Sequence, residues 1–199
     1  MQNPTTSPSG LLPENYHEVL SWTIKEDPRR LLLLQIFSIP LLIGSGLFFF
    51  RLAFSLGGLP ASIGFGLAEI GITILAILLT IVLHELAHGM VMQRFGAQPR
   101  YGVLWKQAMF YATAPGYAFR RNDYIQVALA PFLILSLLAI LGIWILSGTF
   151  WVVVLAIAGV INASGAVGDL WITTIVLRYP ATAYVIDEKD GIRVFLPKA

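Results

Sequence analysis

At 199 residues the chain is long enough for one sizeable core, yet 57% of it is hydrophobic and only 12% is charged, with a mean hydropathy of +0.76. That composition excludes an ordinary water-soluble domain and points to a polytopic membrane protein. The formal net charge of +2 is too small to argue for a nucleic-acid partner, and the absence of cysteine excludes disulfides and thiolate chemistry, so any metal here must take His, carboxylate or amide oxygen as donors.

Residues 1–30 begin with the Pro/Ser/Thr-rich "NPTTSPSG", which has the composition of a disordered segment. An interfacial helix is expected between Pro13 and Asp27, because Tyr16, Val19, Leu20 and Ile24 fit one apolar face. His17 lies there and is expected to face solvent. The first spanning run, 31–50, is too long for a signal-peptide core and lacks a small-residue cleavage site, so it reads as a retained anchor. A second run, about 67–93, closes on "TIVLHELAHGMVMQRFG". The loop after it, "PRYGVLWKQAMFYATAPGYAFRRND", carries strand-favouring Tyr101, Val103, Trp105, Phe110 and Tyr111, with Pro115 and Gly116 as a turn signal. It reads either as a short β-hairpin that holds an extended peptide at its edge, or as an aromatic belt at the membrane interface.

The third run, 124–146, is expected to kink at Pro131 near its beginning. Only Ser147, Gly148 and Thr149 separate it from the fourth, 150–177, so these two should form an antiparallel helical hairpin. The tail, 179–199, contains "AYVIDEKDGIRVFLP", a β-hairpin turning at Lys189, Asp190 and Gly191 that is expected to extend the loop's sheet. The expected fold class is therefore an all-α membrane protein of four transmembrane helices within 31–178, with two short hairpins. Basic residues orient it: Lys25, Arg29 and Arg30 precede the first span, Arg94, Arg100, Lys106, Arg120 and Arg121 fill the second loop, and Arg178, Lys189, Arg193 and Lys198 follow the fourth span. The opposite loops carry only Arg51, so both termini are expected in the cytoplasm.

Ionisable residues within the spans are Glu69, His84, Glu85, His88 and Asp169, with Asn162 as a polar companion. Each is costly in a bilayer unless paired, hydrated or metal-bound. His84 and His88 stand four apart, so a helix projects both imidazoles from one face; Glu85 between them completes the H-E-x-x-H spacing in which the histidines bind zinc and the glutamate is the general base. A zinc site wants a third protein ligand. His84 lies ten residues before Arg94 and Asp169 nine before Arg178, about 15 and 14 Å along their helices, so the two share a depth. Glu69 lies roughly 22 Å away toward the other end of its helix and reads as an interfacial carboxylate. Small residues at Ala158, Gly165 and Ala76 favour close packing of the second and fourth helices. Asn162, two turns before Asp169, either orients substrate or a ligand through its amide, or glues helices together.

"HELAHG" on one spanning helix and "NASGAVGDLW" on a later one resemble the site-2 protease family of intramembrane zinc metalloproteases, and more closely a small bacterial family of zincin peptidases. The resemblance covers about half of the chain. It implies zinc bound by His84, His88 and Asp169, Glu85 as catalytic base, Asn162 as a substrate-positioning residue, a membrane-protein substrate cut near the cytoplasmic face, and a multi-pass place in the bacterial cytoplasmic membrane. Site-2 proteases usually have proline after the asparagine and glycine after the aspartate, where this chain has Ala163 and Leu170, and no PDZ-like insertion fits. The non-enzymatic alternatives are a scaffold stapled by zinc and an ion-translocating protein.

Overall fold

The fold was read from a computed structural model that describes residues 10–24, 27–57, 66–106 and 109–198. In chain order it has β1 (Tyr16–Thr23), α1 (Pro28–Gly57), α2 (Leu67–Arg94), β2 (Arg100–Leu104), β3 (Met109–Thr113), β4 (Ala118–Arg120), α3 (Arg121–Ile145), α4 (Trp151–Gly165), α5 (Val167–Val176), β5 (Tyr184–Glu188) and β6 (Gly191–Pro197). Among the described residues, four helical segments are long and apolar enough to cross a membrane: Arg29–Leu56, Leu67–Arg94, Arg121–Ile145 and Trp151–Val176, the last combining α4 and α5. The six strands form two sheets, so the fold is not purely all-α. The Pro/Ser/Thr-rich start, up to residue 9, and Lys25 lie outside the described residues.

The chain divides into two compact units, and α1, α2 and α3 run unbroken through the division. One unit comprises Leu33–His84 and Pro131–Gly168. Its core is Phe49 and Ala53 of α1, Ala139 and Ile143 of α3, and Val152, Ala156, Val160 and Ala163 of α4. Glycine permits the closest approach: a Cβ on Gly159 would lie 2.6 Å from the Phe49 ring, so the ring rests on bare backbone. The pairing of α3 with α4 through this core matches the helical hairpin expected from the short 147–149 link.

The other unit comprises Met1–Leu32, Glu85–Ala130 and Asp169–Ala199, and holds both sheets. An antiparallel sheet runs in the order β1-β6-β5-β4, around Ala118, Tyr184, Ile186 and Phe195, with Tyr16 packed edge-on against Tyr184 at 5.1 Å. β5 and β6 form the predicted C-terminal hairpin. The tail joins β4, at the end of the loop segment, and not the separate β2–β3 pair. Pro115 and Gly116, where φ is +76°, turn the chain between β3 and β4 instead of closing the β2–β3 hairpin. At the β5–β6 turn, a Cβ on Gly191 would lie 1.9 Å from the Trp22 carbonyl oxygen of β1, a backbone atom that cannot swing aside, so only glycine fits.

The interfacial helix expected between Pro13 and Asp27 is instead the strand β1. The apolar spacing misleads because one extra residue enters the β1–β6 ladder: Glu18 pairs with Phe195 but Leu20 pairs with Val194, which carries Leu20 and Trp22 to the sheet face opposite Tyr16. Apolar residues on two faces of a bulged strand then imitate one face of a helix. His17 is exposed on this strand, opposite Leu196.

Candidate metal centre

α2 forms because its run of Leu, Ile and Ala gives helical propensity with no proline inside, and it stops where Gly96, at φ +90°, lets the Ala97 amide turn back to the Met92 carbonyl at 3.0 Å. His84 and His88 stand one turn apart near this end. His88 is buried, whereas His84 and Glu85 are half-buried. The carboxylate partner comes from α5. The predicted fourth span is broken at Ala166, whose φ of −72° and ψ of 7° end α4, so Asp169 sits in the first turn of a new helix. His88 Nε2 lies 3.3 Å from Asp169 Oδ1.

Hydrogen bonding fixes which nitrogen of each imidazole faces a metal. His88 Nδ1 is 2.8 Å from the Val127 carbonyl oxygen. A carbonyl only accepts, so Nδ1 carries the proton and Nε2 is the lone-pair donor. His84 Nδ1 is 3.0 Å from Asn162 Oδ1. Asn162 Nδ2 donates to the Pro131 carbonyl at 3.2 Å, the Phe132 carbonyl at 3.5 Å and Ser136 Oγ at 3.3 Å, which orients the amide and makes His84 the same tautomer. In both histidines Nε2 is thereby the nitrogen that would face a metal. Among the described residues, His84, His88 and Asp169 each offer one ligand atom, and these atoms lie within 4.8 Å of one another. Two imidazole nitrogens and one carboxylate oxygen, each imidazole held by an outer hydrogen bond, suit zinc well.

Asn162 is buried, with both ends of its amide engaged by protein, Oδ1 by His84 and Nδ2 by α3. Glu69 stays in the first turn of α2, fifteen residues from His84, and is not among the grouped ligand atoms. Sequence reasoning missed Val127, because a backbone acceptor has no side-chain signature; Pro131, four residues later, was the available signal. It also passed over Gly89, where a Cβ would lie 1.9 Å from the Tyr101 hydroxyl, so that β2 rests against α2 one residue after His88.

Asp187, read from sequence only as part of a hairpin, is buried in the sheet-bearing unit. It accepts a hydrogen bond from the Tyr124 hydroxyl at 2.7 Å, and its backbone carbonyl accepts one from Thr113 Oγ1 at 3.0 Å. Burial lifts its carboxyl to about 7 from the ordinary 3.8, against the hydrogen bonds that favour the ionised form. Because the folded value is raised, the folded state holds a proton that the unfolded chain releases. Stability from this group is therefore full below about pH 4 and falls as pH rises toward 7. Asp187→Asn keeps an acceptor for Tyr124 and removes the charge, so its melting temperature in detergent should exceed wild type by roughly 10 °C more at pH 8 than at pH 4. Equal shifts at both pH values would show that the carboxyl does not titrate in this range.

A pair of helix-borne imidazoles one turn apart, with a carboxylate brought from another helix, makes a histidine–carboxylate group that could hold a metal ion. The chain belongs to the family described as "Putative zincin peptidase", whose model matches residues 77–184, a range that takes in His84, Glu85, His88, Asn162 and Asp169. It is also similar to an uncharacterized 24.7 kDa protein in the gap 5' region of Pyrococcus woesei, 31% identical over 119 residues, which are 58% of this chain. The chain spans about half the length of that curated relative, with 50% of it covered. No solved structure matches the chain.

Proposed function

We propose that the chain is a membrane-embedded zinc metallopeptidase that hydrolyses peptide bonds of a membrane-associated substrate, with His84, His88 and Asp169 as zinc ligands and Glu85 as general base. The observation that carries this reading is the grouping of His84, His88 and Asp169, each offering one ligand atom within 4.8 Å of the others, with Nδ1 of each histidine held by a protein acceptor. Zinc, when bound there, would supply Lewis acidity that makes water easier to deprotonate and polarises the scissile carbonyl. Glu85 accepts the proton of the attacking water on a carboxylate oxygen and delivers it to the leaving nitrogen. Asn162 and the Val127 carbonyl hold the two imidazoles so that neither rotates as charge develops.

The membrane setting is supported by apolar side chains that face outward along α2, among them Ile74, Leu75, Leu78 and Leu79, each more than half exposed, a surface suited to lipid tails and not to water. The basic loops favour cytoplasmic termini. A helical substrate hides its scissile carbonyl in its own hydrogen bonds, and the β2–β3 pair offers strand edges on which an unwound segment is held extended. With the protein reconstituted beside a membrane-inserted substrate, chelation by 1,10-phenanthroline should abolish cleavage and added zinc should restore it. Cleavage that persists at equal rate after the metal has been stripped would overturn the reading.

A further inference from the structure

The two hydrogen bonds that hold the histidines both lead to one turn of α3. An α-helical carbonyl ordinarily accepts the amide hydrogen of the residue four positions later, and for Val127 that residue is Pro131, which has none. The Val127 carbonyl is therefore denied its helical donor, and it is this carbonyl that accepts the hydrogen bond from His88 Nδ1, at 2.8 Å. The Pro131 carbonyl in turn accepts from Asn162 Nδ2 at 3.2 Å, and Asn162 Oδ1 takes the His84 Nδ1 proton at 3.0 Å. α3 continues as a helix through the proline. We infer that Pro131 is a positioning residue of the metal centre: by withholding one backbone N–H it reserves the Val127 carbonyl for His88, and its own carbonyl anchors the asparagine that orients His84.

The consequence follows from hydrogen-bond competition. An alanine at 131 restores the amide hydrogen, which competes for the Val127 carbonyl within the helix and weakens its hold on His88. A backbone acceptor cannot be deleted by substitution, so the residue four positions on is its handle in the sequence. Loss of an outer-shell partner of a ligating histidine typically costs about 10–100-fold in metal affinity.

The test rests on the zinc reading above and uses the full chain in detergent, with zinc alone as probe. Pro131→Ala should weaken zinc affinity about tenfold and should change the Nδ1 resonance of His88 in the nitrogen-15 spectrum of the metal-free protein. Lactic acid placed at 131 by nonsense suppression lacks both the ring and the N–H, and should bring affinity and resonance back toward wild type. Pro40→Ala, which removes a proline inside α1, should leave both readouts unchanged. Wild-type affinity and resonance in Pro131→Ala would overturn the inference, and so would a lactic acid variant as impaired as the alanine one. Failure of the wild type to bind zinc at all would instead overturn the metal assignment, and the metal-free resonance would then decide the role of Pro131 alone.

Discussion

Glutamine in place of Glu85 is expected to reduce cleavage of a membrane-inserted substrate by a factor of about 10² to 10⁴, the usual contribution of a positioned acid–base group, while leaving bound zinc at the wild-type level. The separation of the two readouts is what gives the substitution its force. Glu85 follows His84 directly on α2 and is not one of the three grouped ligand atoms, so the amide should leave the donor set intact. It removes only the ability to accept a proton. A scaffold stapled by zinc has no use for a base between its ligands, and an unimpaired Glu85→Gln variant would therefore remove the peptidase mechanism while sparing the metal centre. Loss of zinc together with activity would show that the glutamate serves the ligands instead of the reaction.

Much of the helical framework was legible because the apolar runs are long. Bilayer thickness sets a length of roughly 20 residues for a span, and the four runs read from sequence overlap the four helical segments that are long and apolar enough to cross a membrane, within a few residues for the last three. The first extends further, from Arg29 to Leu56. The histidine pair was equally readable, because the interval of four has one meaning on a helix and α2 is unbroken there. The strands were harder. β4 has only three residues, and β1 carries a bulge that places its apolar residues on two faces, so neither shows the alternation by which a strand is recognised. The break at Ala166 was invisible for a different reason: the sequence from 150 to 177 stays apolar and has no proline, and the helix ends through backbone geometry alone.

The supporting shell of the centre was the least legible part. Asn162 advertised itself as a polar residue in an apolar helix, but which of its possible partners it serves depends on where Pro131, Phe132 and Ser136 come to lie. The Val127 acceptor belongs to the main chain and leaves no mark on its own residue type. Asp187 gave some signal, as a carboxylate inside the strand "YVIDE", yet its burial beside Tyr124 depends on sheet pairing that sequence periodicity does not specify.

Of the three proposed ligands, Asp169 is the one that has to arrive from a distant part of the chain. Asp169→Ala leaves both imidazoles in place and removes the only carboxylate of the group, which should weaken zinc binding by at least about a hundredfold, since two neutral nitrogen donors lack the charge and the third bond of a structural or catalytic site. X-ray absorption at the zinc edge, recorded on wild-type protein and on Asp169→Ala after the same zinc addition, reads that ligand set directly. Wild type should show the scattering pattern of two imidazoles with further oxygen at about 2.0–2.2 Å, and the variant should hold little zinc after gel filtration. A wild-type spectrum without imidazole scattering, or zinc retained equally by both proteins in the same environment, would contradict the assignment of His84, His88 and Asp169 as the metal centre.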